Sequence, residues 1–319
     1  MTRRESGIGT DREQGTGNWE PESGNLNVSK SRRQFVAAGT LGLSGMAAAG
    51  ALRFPVPSSR FPLSSAAHLK QSVARWCFQN IPLRELAQSA KRIGLVGVDL
   101  LQPDEWAVVK EHGLLCTMGY PANRRDFLTA GFNDRANHRM LLNELEGTIP
   151  RAAKEGVPNV IGMFGNRNGR SDADGIAACV EGLSKIKPLA EEHGVTVCIE
   201  LLNSKVDHKD YHGDRTAFGV EVMKGVASPR VKLLYDIYHM QVMEGDVIRT
   251  IRDNFAHIAH FHTAGVPGRN EIDERQELNY RAIGSAIVDL GFTGYIAHEF
   301  IPKRDPMTSL KAAYDVLAT

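Results

Sequence analysis

Short apolar runs alternate with amphipathic stretches from residue 72 to the end of the chain. The runs at 72–78, 97–101, 114–119, 159–165, 195–203, 231–240, 258–265 and 294–301 read as buried strands. Between them, apolar positions recur at helical spacing over about 82–93, 103–112, 133–155, 172–193, 215–227, 244–254, 279–290 and 308–317. Gly94, Gly113, Pro158, Gly194 or Gly291 stands at the approach to a strand, where a helix is expected to end. Strands alternating with helices predict parallel βαβ units. Eight such units predict an α/β fold, a single (β/α)8 TIM barrel spanning 66–319. The competing arrangement is an open doubly wound sheet. No GxGxxG follows the first strand, so the nucleotide signature of that fold is missing.

The first 65 residues follow no such pattern. Residues 1–30 are polar, rich in Gly, Glu, Asn and Ser, and predict a disordered extension. Residues 31–65 begin Ser31-Arg32-Arg33-Gln34-Phe35-Val36 and continue into a run dominated by Gly and Ala, then a Pro/Ser linker. An arginine pair ahead of a weakly apolar run is similar to a twin-arginine export signal, which predicts export to the periplasm. The run is about 18 residues long but too poor in large apolar side chains for a stable membrane span. An N-terminal amphipathic helix or an uncleaved anchor is the plainer alternative.

Charge narrows the partners. The chain carries 38 Lys and Arg against 37 Asp and Glu. The first 65 residues hold eight of the former and five of the latter, which leaves −2 on the rest. A body of that sign is a poor binder of nucleic acid, whose affinity depends on clustered Lys and Arg. Cys77, Cys116, Cys179 and Cys198 form no CxxC pair and read as small buried apolar residues.

The candidate chemistry lies at strand ends, where this fold keeps its active site. Glu200, Asp236, His262 and Glu299 close four consecutive strands, at spacings of 36, 26 and 37 residues. Alternation within the fifth strand sends Val197, Ile199 and Leu201 to one face and Glu200 to the other. By the same rule His260 and His262 share a face, with His260 read as a barrel-layer residue. Any one such carboxylate is ordinarily a loop residue or a helix cap. Three buried together repel and are desolvated, which a divalent cation resolves. Three carboxylates and one imidazole suit Mg²⁺, Mn²⁺ or Co²⁺ better than a thiolate-type zinc site.

Longer stretches carry a resemblance: IELLN around Glu200, YDIYHMQVMEGD from Tyr235, HFHTAGVPGRNEID from His260, ELNY at 277–280 and AHEF around Glu299. Over roughly 72–317 the chain resembles the hydroxypyruvate isomerase branch of the xylose-isomerase-like barrel superfamily. The resemblance implies one divalent ion held by Glu200, Asp236, His262 and Glu299, with Glu200 and Glu299 as the acid/base pair. It implies conversion of a 2-keto-3-hydroxy acid into its aldehyde isomer through an enediolate. One position departs: His262 stands where that branch often carries Gln, and His there is similar to the related ketose 3-epimerases. Leu202 occupies the place of the lysine that true xylose isomerases use in hydride transfer.

Around this set, His239 is a candidate substrate ligand or proton relay, and Arg269 a candidate fork for a substrate carboxylate. Asn166 and Arg167 are candidates for the mouth. His208 sits on a long loop read as a lid. Trp76 and Phe78 are candidates for an apolar wall on the first strand, and Glu277 reads as structural. The expected partner is a small keto acid or sugar, with a homo-oligomer as a further expectation. Two other functions stay open: a ketose 3-epimerase or other keto-sugar isomerase on the same residues, and a non-catalytic exported barrel. An endonuclease would need many more His and Asp ligands and a basic face.

Overall fold

The computed structural model describes residues 68–318; the extension at 1–30 and the export-signal segment at 31–65 lie outside the described residues. The strands are β1 (Lys70–Ala74), β2 (Gly97–Leu101), β3 (Leu115–Gly119), β4 (Asn159–Met163), β5 (Thr196–Glu200), β6 (Val231–Asp236), β7 (Ile258–Thr263) and β8 (Tyr295–His298). They are all parallel, and β8 pairs with β1 to close the barrel. The (β/α)8 architecture is therefore the one expected.

The helices around it are α1 (Leu83–Ile93), α2 (Trp106–Lys110), α3 (His138–Glu155), α4 (Asp172–His193), α5 (Thr216–Val226), α6 (Ile237–Met243), α7 (Val247–Asn254), α8 (Tyr280–Asp289) and α9 (Pro306–Leu317). Each of the longer ones buries an apolar stripe against the strands; on α4 it includes Ala178, Cys179, Leu183, Ile186 and Ala190. The Ser171 hydroxyl caps α4 by accepting from the Asp174 amide, and Gly194 ends it in the left-handed conformation that glycine adopts freely. Among the described residues, no helix is long and apolar enough to cross a membrane.

Three local departures from the expected boundaries shape the mouth. The run 72–78 is strand only to Ala74; Arg75–Phe78 turns into a 3-10 helix, closed by Arg75 donating to the Phe78 carbonyl. The run 231–240 is strand only to Asp236. Its carboxylate accepts from the His239 amide at 3.0 Å, which caps α6 and converts Ile237–Met243 to helix. The expected helix 244–254 starts later, at Val247, after Asp246 takes a left-handed turn at φ 45°. On β2 the register slips on both sides of Asp99, and Leu100 sits at φ 58°.

Candidate metal centre and active site

Register brings the four strand-end residues together. Asp236 on β6 stands opposite His262 on β7, and His262 opposite Ala297 on β8, two residues before Glu299. Glu200 closes β5 beside Met163 of β4. One ligand atom from each of Glu200, Asp236, His262 and Glu299 lies within 4.8 Å of the others, and all four residues are buried. His262 Nδ1 is the hub: 2.8 Å from Glu299 Oε2, 3.1 Å from Glu200 Oε1 and 4.0 Å from Asp236 Oδ2.

The electrostatics are those of acids crowded out of water. Burial raises the Glu200 carboxyl above its usual range against the hydrogen bond from His262, and the Glu299 charge adds to the rise. Burial pushes Asp236 up to about 8, with Arg269 opposing. Burial acts the same way on Glu299. There His262, Arg269 and the Trp76 indole outweigh it and hold the carboxyl well below its usual range. Two carboxyls pushed toward their neutral forms beside a histidine nitrogen fit a divalent cation, which lets all three acids stay ionised. The donor set, three oxygens and one imidazole nitrogen, is hard enough for Mg²⁺ or Mn²⁺.

Arg269 already lies inside this cluster. Its Nη2 is 2.7 Å from Glu299 Oε2 and 3.7 Å from Asp236 Oδ2, and its guanidinium stacks over Trp76 and Tyr238. One arm of the expected fork is thus engaged by the protein's own acids. The buried Nε–H has no hydrogen-bond partner. His239 is fully buried on the first turn of α6. Its Nδ1 accepts from the Asn203 side chain at 2.7 Å and the Asn203 amide at 3.2 Å. Those two donors assign the ring proton to Nε2, which lies 3.6 Å from Asp236 Oδ2 and has no hydrogen-bond partner.

A cavity of about 490 Å³ opens above the cluster. Glu200, Glu299, Arg269 and His208 line it beside Trp76, Leu100, Tyr120, Phe127, Ile161, Met163 and Leu202. Trp76 does more than form a wall: from the 3-10 helix its Nε1 donates to Glu299 Oε1 at 2.6 Å. Phe78 is buried and packs edge-on against Phe300. Asn166 is not among the lining residues. Its backbone pairs with Tyr211 and with Thr129, and Arg167 is drawn aside to Asp172. Glu277 accepts from Gln241 on α6.

One residue of the site escaped the sequence reading. Asp99 on β2 is fully buried, with Oδ2 2.9 Å from His262 Nε2 and 3.3 Å from His260 Nε2, and Oδ1 accepting from the Thr117 hydroxyl. Burial disfavours its ionised form, yet the two imidazoles prevail and hold it well below the usual carboxylate range. The signal that was there is a lone acid inside the apolar run Gly97–Leu101. His260 is an inner-layer residue, as expected, in edge contact with His262 at 5.3 Å.

A family model described as Xylose isomerase-like TIM barrel matches residues 83–319. A 2-oxo-tetronate isomerase of Cupriavidus necator is 36% identical over 127 residues, 40% of this chain and 48% of that protein. A putative hydroxypyruvate isomerase of Xenopus laevis is 30% identical over 131 residues, 41% of this chain and 48% of that protein. The chain thus spans about half the length of these two curated relatives. The solved structure of an AP endonuclease, family 2, from Brucella melitensis aligns with a TM-score of 0.68 at 23% identity, over 76% of this chain and 96% of that one. At that identity the likeness speaks to the fold alone. The length of the family match, laid over a closed eight-stranded barrel, decides the affiliation: the chain belongs to the xylose isomerase-like TIM barrel family.

Proposed function

We propose that this protein is a divalent-metal-dependent isomerase. It interconverts a 2-keto-3-hydroxy acid and its aldehyde isomer, of the hydroxypyruvate and tartronate semialdehyde class. The observation that carries the reading is the convergence of Glu200, Asp236, Glu299 and His262 Nδ1 beneath a cavity that Glu200 and Glu299 line. A bound divalent ion supplies Lewis-acid stabilisation of the oxyanion that forms at the substrate.

The chain's own groups do the rest. One of the two glutamates removes the proton from the hydroxyl-bearing carbon, which leaves an enediolate. The other delivers a proton to the adjacent carbon, while the hydroxyl proton passes to the former carbonyl oxygen. Trp76 holds Glu299 by its Oε1, which fixes the direction in which that carboxylate works. His239 Nε2–H donates to a substrate oxygen, and the unpartnered Nε–H of Arg269 meets the substrate carboxylate. The apolar wall from Leu100 to Met163 keeps water from the enediolate.

A ketose 3-epimerase is the second reading. His262 at the third ligand position favours it, as does the partial engagement of Arg269 by Glu299. A panel of hydroxypyruvate, tartronate semialdehyde and free ketoses, incubated with Mg²⁺ or Mn²⁺ in D₂O and followed by NMR, separates the two. Deuterium entering the keto acid supports the first reading. Deuterium entering only a ketose at carbon 3 replaces it with the second. As part of the same proposal the protein is exported by the twin-arginine route to the periplasm. Export that persists after Arg32→Lys with Arg33→Lys ends that part.

A further inference from the structure

The buried Asp99 has no role in the chemistry above, yet it touches the one nitrogenous residue of the cluster. A carboxylate accepts hydrogen bonds and donates none. Its Oδ2, 2.9 Å from His262 Nε2, therefore holds a proton on Nε2. The other ring nitrogen, Nδ1, faces Glu200, Glu299 and Asp236, and a cation in that cluster would take its lone pair in place of a proton.

The carboxylate is itself held. The Thr117 hydroxyl donates to Oδ1 from the neighbouring strand, and the slip in the β2–β3 register aims Asp99 inward at that height. On the other side, His260 sits 3.3 Å from the same Oδ2 and stands edge-on to the His262 ring. Neither nitrogen of His260 makes a hydrogen bond, so it walls the ring in without competing for the proton.

We infer that Asp99 is a positioning residue: it locks the tautomer and rotation of His262, presents Nδ1 to the metal, and so sets the metal affinity of the site. The inference rests on the metal reading proposed above. Carboxylates placed behind a metal-binding imidazole typically change affinity by about 10–100-fold when removed.

The test titrates Co²⁺ into the full-length metal-free chain and reads its visible absorption. Wild type, Asp99→Leu and Asp99→Asn are compared, with thermal unfolding of each metal-free form. Asp99→Leu should bind about 10–100-fold more weakly. Asp99→Asn keeps an acceptor oxygen without the charge and should fall between Leu and wild type. An Asp99→Leu protein that changes only its unfolding temperature and binds Co²⁺ like wild type overturns the inference and leaves the metal site standing. Wild type that takes up no Co²⁺ overturns the metal site and the inference together. Should the variants fail to fold, ¹⁵N-histidine NMR of wild type decides. Nε2 protonated, with Nδ1 shifting on addition of Mg²⁺, supports the inference; Nε2 shifting instead overturns it.

Discussion

Strands β5–β8 and strands β1–β4 bring different side chains to the same mouth. The later half contributes all four clustered residues, one from the end of each strand. The earlier half contributes the wall: Trp76, Leu100, Tyr120, Ile161 and Met163 line the cavity, and the acid it brings, Asp99, meets the cluster at His262. The difference teaches a division of labour. Charge is gathered where consecutive strands share register. The opposite arc excludes water and supplies one carboxylate that acts through another residue.

Disabling the later half should give the largest effect. Glu200→Gln or Glu299→Gln, assayed at saturating metal, should lose about 10²–10⁴-fold in turnover, because Gln keeps an oxygen but accepts no proton. Turnover near wild type for either would remove that residue from the acid/base pair. The earlier half should fail differently. Ile161→Ala, at a buried wall position, should cost about 2–5 kcal/mol of stability by thermal or denaturant unfolding, with Co²⁺ affinity unchanged. A parallel fall in metal affinity would mean that the two arcs are not separable.

Arg269→Lys keeps a cation beside Glu299 and removes the planar fork. An acid substrate should show KM raised about tenfold, the scale of one charge-assisted hydrogen bond, while a neutral ketose is little affected. Equal effects on both would shift the reading to the epimerase. The smallest effect is a matter of pH at the loops flanking Arg269. Glu271 accepts from the amides of Lys303 and Arg304 and from the Ser309 hydroxyl. Burial works against its ionised form, but these bonds outweigh it and bring the carboxyl from an ordinary 4.5 to about 2. Its stabilising contribution is thus complete above about pH 4.5 and is lost as pH falls toward 2. The gap in unfolding temperature between wild type and Glu271→Gln should close over that window. A gap independent of pH would assign it to packing.

The barrel and its four clustered residues were legible because both rest on periodicity. Strand alternation aims Glu200 inward, and one βα unit between neighbours brings them to adjacent strand ends. What escaped rests on contacts between segments distant in sequence. Nothing local distinguishes Asp99 in GVDLL from a misplaced surface acid; its meaning comes from His262, 163 residues away. Trp76 reads as a strand aromatic until the chain turns after Ala74 and its indole reaches Glu299. The run Ile237–Met240 favours strand by composition, and the capping of α6 by Asp236 overrides that preference. Asn166 shares the mouth by sequence position alone, and its pairing with Tyr211 keeps it from the cavity.

That pairing also bears on time. The segment that follows β5, read as a lid, is pinned near both ends. The Tyr211 hydroxyl donates to the Glu200 carbonyl and accepts from the Phe164 amide, each at 2.9 Å. The Asn203 carbonyl oxygen of the side chain gathers the amides of Val206 and Asp207 into a tight turn. The backbone of the tip is held as well, the His208 amide donating to the Asn203 backbone carbonyl, so what is left to move is mainly side chain, with Val206 66% exposed. A tip of that size moves in nanoseconds to microseconds, with no slow remodelling of the barrel rim.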